Sequence, residues 1–197
     1  MTFLFDIGRV LLDFDFESSL VRLLPPDCPD SEKRLERLLE RKDEFETGKI
    51  DADIFTEWAL GVLGSTATHD EFHYAWRHIF TPNEPMWRRV RQLAADGHHL
   101  ILFSNIGSLH MPWIYGEFPE LSLFQDAVTS FETGYLKPDP EIYKRAIERH
   151  SLVPSETFYI DDLPQNAATG RALGFRTWQY DLRDHHAFEV WLATYSI

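Results

Sequence analysis

The sequence predicts an α/β fold, a doubly wound and mainly parallel sheet carrying a small inserted α-helical cap. Three observations carry that prediction. Several short apolar runs show no alternation and end in a polar or charged residue, as strands buried on both faces do. Helical patterns separate these runs, and alternating β and α elements imply a doubly wound sheet. Residues 15–81 depart from that alternation and read as helix after helix.

The elements follow in order. Thr2, Phe3, Leu4 and Phe5 form the first run and lead into Asp6. In the helical stretch, Phe16, Leu20, Leu23 and Leu24 share one face, as do Leu35, Leu38 and Leu39, and then Ile54, Phe55, Trp58 and Val62. A fourth helix opens on a capping box, Thr68 with Glu71, ahead of Phe72, Ala75, Trp76 and Ile79. Pro25-Pro26 and Gly64-Ser65 punctuate the segment. Asn83 stands at the start of a helix bearing Met86, Val90, Leu93 and Ala94, with Gly97 as its stop. Residues 100–103 run into Ser104 and Asn105. Asp139 and Pro140 have the N-cap and N1 preferences of a further helix. Residues 157–160 run into Asp161 and Asp162, residues 175–180 read as a last strand, and residues 184–195 as a terminal helix. The division that follows is a core of residues 1–14 and 82–197 with a helical cap over residues 15–81.

Composition narrows the function classes. The formal charge is −13, which disfavours a nucleic acid partner, since neutralising phosphates needs a basic surface. It equally disfavours an anionic membrane. The single cysteine, Cys28, makes neither an internal disulfide nor a cysteine-rich zinc site. No apolar run approaches the ~20 residues of a membrane span, and Asp6 cuts the N-terminal apolar stretch short of a signal peptide. A cytoplasmic location is therefore expected.

The chemistry gathers after the strands, where open α/β sheets bind their ligands. If the three strands are neighbours, Asp6, Asp161 and Asp162 cluster near the Ser104 hydroxyl and Lys137. Adjacent carboxylates cannot all stay ionised without a cation. Hard oxygen donors with an open substrate position suit Mg²⁺, which shares its ligands with phosphate. A carboxylate nucleophile, a metal, a hydroxyl and a lysine are the parts of phosphoryl transfer through an aspartyl-phosphate.

These residues resemble the haloacid dehalogenase-like hydrolase superfamily, along nearly the whole chain. Phe5-Asp6-Ile7-Gly8-Arg9-Val10 is similar to its first motif, Ser104-Asn105 to the second, Lys137 before Pro138-Asp139-Pro140 to the third, and Tyr159-Ile160-Asp161-Asp162-Leu163-Pro164-Gln165-Asn166 to the fourth. The nearest likeness is to the subgroup of α-D-glucose-1-phosphate phosphatases, whose first motif also has glycine two residues after the nucleophile. The resemblance implies a Mg²⁺-dependent phosphatase acting on a small phosphorylated metabolite, with a sugar phosphate as the expected class. It implies that Asp6 attacks phosphorus and that Asp6, the Gly8 carbonyl and Asp162 hold Mg²⁺, with Asp161 a further or water-mediated ligand. Ser104 Oγ and the Asn105 backbone N–H would bind phosphate oxygens, and Lys137 would neutralise charge beside Asp6.

One position departs from the pattern. Most phosphatases of the superfamily carry an acid where this chain has Gly8, and Arg9 beside it is too basic to shuttle protons. Three explanations stay open: a leaving group that needs little protonation, a substitute such as Asp13 or Asp15, or weak or absent turnover. The gap also leaves two alternatives, a metal-independent 2-haloacid dehalogenase and a non-catalytic binding or regulatory protein. The Asp161-Asp162 pair speaks against the first alternative, and retention of Asp6, Lys137 and Asp162 against the second.

The remaining features read blandly. His98-His99 and His185-His186 are structural or exposed. Residues 47–51 form a turn on Gly48, with a secondary reading as a specificity loop. Trp58 and Trp76 belong to the cap core, Trp113 and Tyr115 lie closer to the expected site, and residues 31–46 form a solvated helix face with i, i+4 ion pairs.

Overall fold

β1 (Thr2–Phe5) occupies the centre of a five-stranded parallel sheet. Its neighbours are β4 (His99–Ser104) on one side and β6 (Thr157–Asp161) on the other, with β5 (Asp126–Thr129) and β7 (Arg176–Gln179) at the edges. The structure, a computed structural model, describes residues 1–197. Phe5 is in register with Leu102 and Ile160, so the residues after all three central strands emerge at one edge.

Both faces of the sheet are covered, which is why its three central strands are largely apolar. Phe3, Phe5, Leu100, Leu102, Phe158 and Ile160 pack into the larger core with Trp87, Val90 and Phe188. Leu4, Ile101, Phe103 and Tyr159 point the other way, against Ile142, Tyr143 and Ala146. Trp87 and Val90 lie on α6 (Glu84–Ala95), and Ile142 to Ala146 on α7 (Pro140–His150), which Asp139 caps through the Glu141 N–H as its sequence predicts. Phe188 lies on the terminal helix, capped by Asp184 through Ala187 N–H. Asn83 does precede α6, but its side chain is used elsewhere: Nδ2 donates to the Val10 carbonyl at 2.6 Å and to the Tyr180 hydroxyl at 3.0 Å.

Residues between Phe14 and Phe80 form five helices with their own core. These are α1 (Phe16–Leu20), α2 (Ser31–Leu38), α3 (Lys42–Glu46), α4 (Ala52–Leu63) and α5 (His69–Arg77). Leu20, Leu38, Phe45, Phe55, Leu63, Phe72 and Trp76 close around one another, joined by Leu109 from outside the segment. The Thr68–Glu71 capping box is present. A feature the sequence does not signal joins this unit to the sheet. β2 (Leu12–Phe14) and β3 (Phe80–Pro82) pair antiparallel, Phe14 opposite Phe80, so the chain leaves and returns along one two-stranded ribbon. No helix is long and apolar enough to cross a membrane.

The charged run 31–46 is not one solvated helix face. It breaks into α2, a 3-10 turn at Leu39–Arg41 and α3, and its last two residues, Phe45 and Glu46, are buried. Leu38 and Phe45 both enter the helical core, while Glu46, next to Phe45, faces the cavity. The ion pairs that form within it are the exposed Arg37–Glu40, the half-buried Arg41–Glu44 and the i, i+4 pair Lys42–Glu46.

Candidate active site

Asp6 follows β1 directly, and its Oδ1 accepts the Ile7 N–H at 2.8 Å. Ser104 ends β4, Lys137 comes from the loop before α7, Asp161 ends β6 and Asp162 follows it. The strand register therefore brings Asp6, Ser104, Asn105, Lys137 and Asp162 to one cavity. It encloses about 160 Å³, small beside the ~300–1,000 Å³ of common ligand sites. A small substrate fits it.

Lys137 is the hub. Its Nζ is fully buried and donates to the Phe103 carbonyl at 2.7 Å and to Asp161 Oδ2 at 2.6 Å, and lies 3.1 Å from Asp6 Oδ1. Burial alone would lower its pKa, but the Asp161 and Asp6 carboxylates raise it well above that of an ordinary lysine. The side chain of Asn105 holds the Lys137 backbone from both sides: Nδ2 donates to its carbonyl and Oδ1 accepts its N–H, each at 2.8 Å.

Asp161 is completely buried and its oxygens are taken. Oδ2 accepts from Lys137 and, at 2.6 Å, from the Tyr159 hydroxyl; Oδ1 accepts from Leu163 N–H at 2.9 Å and Asn166 Nδ2 at 3.0 Å. It orients Lys137 and has no lone pair to spare for an ion at close range. Asp162 lies beside it, half-buried, on the cavity wall.

The three carboxylates offer oxygens within 4.8 Å of one another. Burial pushes Asp6 up to about 6, against Lys137 and the Ser104 hydroxyl, while Asp161 pushes further up. Burial, with Asp6 and Asp161 beside it, lifts Asp162 to about 7. An all-oxygen donor set whose acids burial pushes toward their protonated forms suits a hard divalent cation. Asp6 and Asp162 are the carboxylates free to hold it, next to the carbonyl of Gly8 in the same turn.

The other positions singled out in the sequence fall away from the cavity. Asp13 pairs with Arg9 at 2.6 Å on the surface, and the guanidinium sits 4.7 Å from the Phe14 ring centre. Asp15 caps α1 through Ser18 N–H. Trp113 stacks on Phe80, Tyr115 is exposed, and Trp58 and Trp76 pack in the helical core. His185 bonds Tyr180 and Glu189.

Sequence reasoning missed part of the wall. Phe14, Phe16 and Phe80, His110, and the α3 pair Lys42 and Glu46 all line the cavity. At Gly8 a β-carbon would lie 2.9 Å from Phe14 Cε1. The apolar break at Phe45 in the charged run marks where α3 turns inward, and nothing local marks the other wall residues.

A family model described as haloacid dehalogenase-like hydrolase matches residues 2–174. The D-ribitol-5-phosphate phosphatase of Bacteroides thetaiotaomicron is 30% identical over 185 residues, 89% of each chain. A sesquiterpene phosphatase of Aspergillus oryzae is 26% identical over 135 residues, 67% of this chain and 68% of that protein. Among solved structures, a haloacid dehalogenase family enzyme from B. thetaiotaomicron in complex with magnesium and inorganic phosphate superposes with a TM-score of 0.79, at 23% identity, over 92% of this chain and 94% of that one. The L-2-haloacid dehalogenase of Xanthobacter autotrophicus shares the fold at a TM-score of 0.64 and 16% identity, over 89% and 75% of the two chains.

Proposed function

The chain belongs to the haloacid dehalogenase-like hydrolases, and from that premise we propose that it is a Mg²⁺-dependent phosphatase of a small phosphomonoester, with Asp6 as nucleophile. The observation that carries this reading is the paired placement of Lys137 against Asp6 and of a second acid, Asp162, on the same cavity wall. A dehalogenase carboxylate attacks carbon without a metal, and for that reaction a second acid beside an anionic substrate is a cost with no return.

Asp6 attacks phosphorus and the ester oxygen departs, leaving an aspartyl-phosphate that water then hydrolyses at phosphorus. Lys137 Nζ, held by the Phe103 carbonyl and Asp161, keeps Asp6 ionised and meets charge on the phosphoryl oxygens. The Ser104 hydroxyl and Asn105 N–H stand at the end of β4 as further donors. Asp6, Asp162 and the Gly8 carbonyl are the Mg²⁺ ligands in this reading, and the cation when bound neutralises the carboxylate cluster and polarises the phosphoryl group.

The helical segment, residues 15–81, acts as the cap that closes on the leaving group and excludes bulk water. A sugar or sugar-alcohol phosphate is the substrate class, supported by the small cavity and by the D-ribitol-5-phosphate phosphatase relative. Slightly more than half of the net negative charge falls in that segment, so attraction of an anionic substrate is local, from Lys137, the strand-end N–H groups and the cation.

Phosphate release from a panel of sugar phosphates and p-nitrophenyl phosphate, in Mg²⁺ and in EDTA, tests the reading. Mg²⁺-dependent release that Asp6→Asn abolishes is expected. No release from any substrate, or release that survives Asp6→Asn, refutes it. Chloride release from a 2-haloacid in EDTA establishes the dehalogenase instead.

A further inference from the structure

Gly8 leaves the reaction without an acid for the leaving group and a base for water at the position nearest the nucleophile. Six titratable side chains line the cavity: Asp6, Lys42, Glu46, His110, Lys137 and Asp162. Four are committed. Asp6 and Asp162 belong to the nucleophile and cation. Lys137 has its ammonium hydrogens directed at Phe103, Asp161 and Asp6. His110 Nε2 is 2.8 Å from the Trp76 carbonyl and must donate to it, and burial pushes the ring down to about 4. At neutral pH it is an imidazole whose one proton is spent.

That leaves Lys42 and Glu46 on α3, and the local packing aims this short helix at the site. Glu46 is 7% exposed although it lies in the most charged stretch of the chain. The helix is seated between two glycines. The Phe45 ring presses on Gly107, just beyond β4, where any β-carbon would collide with it. At Gly48, φ is +69°, and a β-carbon there would lie 2.8 Å from the Phe131 carbonyl. Lys42 Nζ donates to Glu46 Oε2 at 2.7 Å, which leaves Oε1 without a hydrogen-bond partner.

We propose that Glu46 is the acid–base residue of the leaving-group side, supplied by the helical segment in place of the side chain that Gly8 lacks. This rests on the phosphatase reading above. In the first half-reaction the Glu46 carboxyl gives its proton to the ester oxygen as the P–O bond breaks and the Asp6–phosphorus bond forms. In the second, the Glu46 carboxylate takes a proton from water as the water oxygen bonds to phosphorus and the Asp6 linkage breaks. Inorganic phosphate leaves, and both carboxyl groups return to their starting states. Burial raises the proton affinity of Glu46 over that of an exposed glutamate, Lys42 and Lys137 oppose the rise, and Asp43 adds to it.

The experiment compares wild type and the isosteric Glu46→Gln on a sugar-alcohol phosphate and on p-nitrophenyl phosphate. The second substrate has a leaving group that departs without a proton. If wild type hydrolyses neither, the phosphatase reading itself fails. Given wild-type turnover, Glu46→Gln is expected to lower kcat on the alkyl ester about a hundredfold or more. On the aryl ester it gives a burst of one nitrophenolate per enzyme followed by slow turnover. Equal losses on both substrates with no burst, or losses within about threefold on both, overturn the proposal. A second variant, Lys42→Met, keeps the carboxyl and removes its cation. The alkaline limb of kcat/KM then moves to higher pH, and an unmoved limb overturns the assignment.

Discussion

Phe14 stands where a side chain at Gly8 would have to go, its Cε1 2.9 Å from the position of a β-carbon. The absent acid at this position is therefore built into the wall. Gly8→Asp alone is expected to destabilise the protein by ~1–3 kcal/mol through overpacking and to leave kcat no higher. Gly8→Asp with Phe14→Leu recovers most of that stability. Urea unfolding midpoints of the two variants, beside phosphate release, check both statements.

Lys137 and Asp161 form a buried ion pair in which neither partner has water to fall back on. Asp161→Asn leaves the ammonium short of its principal counter-charge, and a loss of ~3–5 kcal/mol is expected. Tyr159→Phe removes one hydrogen bond to the same carboxylate and costs about 1 kcal/mol. Equal losses for the two in urea unfolding contradict this ranking.

Cation binding has its own signature. Asp6 at about 6 and Asp162 at about 7 hold protons that a cation must displace. Mg²⁺ binding therefore strengthens as pH rises through that range. A cation at a hundredfold excess over its Kd adds about 2.7 kcal/mol of stability. The rise in Tm on adding Mg²⁺ is expected to be larger at pH 8 than at pH 5.5, reversed by EDTA, and absent in Asp162→Asn.

His110 links the fold to acid. Its ordinary pKa of 6.5 falls to about 4 on burial, so between those pH values the unfolded chain binds a proton that the folded chain refuses. The stability this ring contributes is present above pH 6.5 and is lost as pH falls through that window to 4. The change amounts to roughly 3 kcal/mol. Stability measured by urea unfolding from pH 7 to 4 is expected to fall less steeply for His110→Gln than for wild type.

The sheet and its catalytic edge were legible because unbroken apolar runs and the polar residues after them are local in sequence. Asp6, Ser104, Lys137 and Asp161 needed only the assumption that their strands are neighbours, and β1 lies between β4 and β6. The ribbon of β2 and β3 was not legible, since each strand has three residues and their pairing spans the whole helical segment. Glu46 was missed for a related reason. In a run of like residues, nothing local marks the one that long-range packing of Phe45 and Gly48 will bury. Asn105 and Asn83 show a third kind of blindness: residue type predicts that an amide bonds something, while the Lys137 backbone and the Val10 carbonyl become partners only through the fold.

The ribbon has a mechanical meaning. Phe14 and Phe80, paired across it, are also wall of the cavity in front of Asp6. The helical unit hangs from the sheet by that ribbon, so any swing of the unit must bend the strands that carry these rings. Two of the six ribbon residues, Phe14 and Phe80, belong to hinge and wall at once. In the phosphatase reading, solvent access to Asp6 would then follow the attitude of the helical unit.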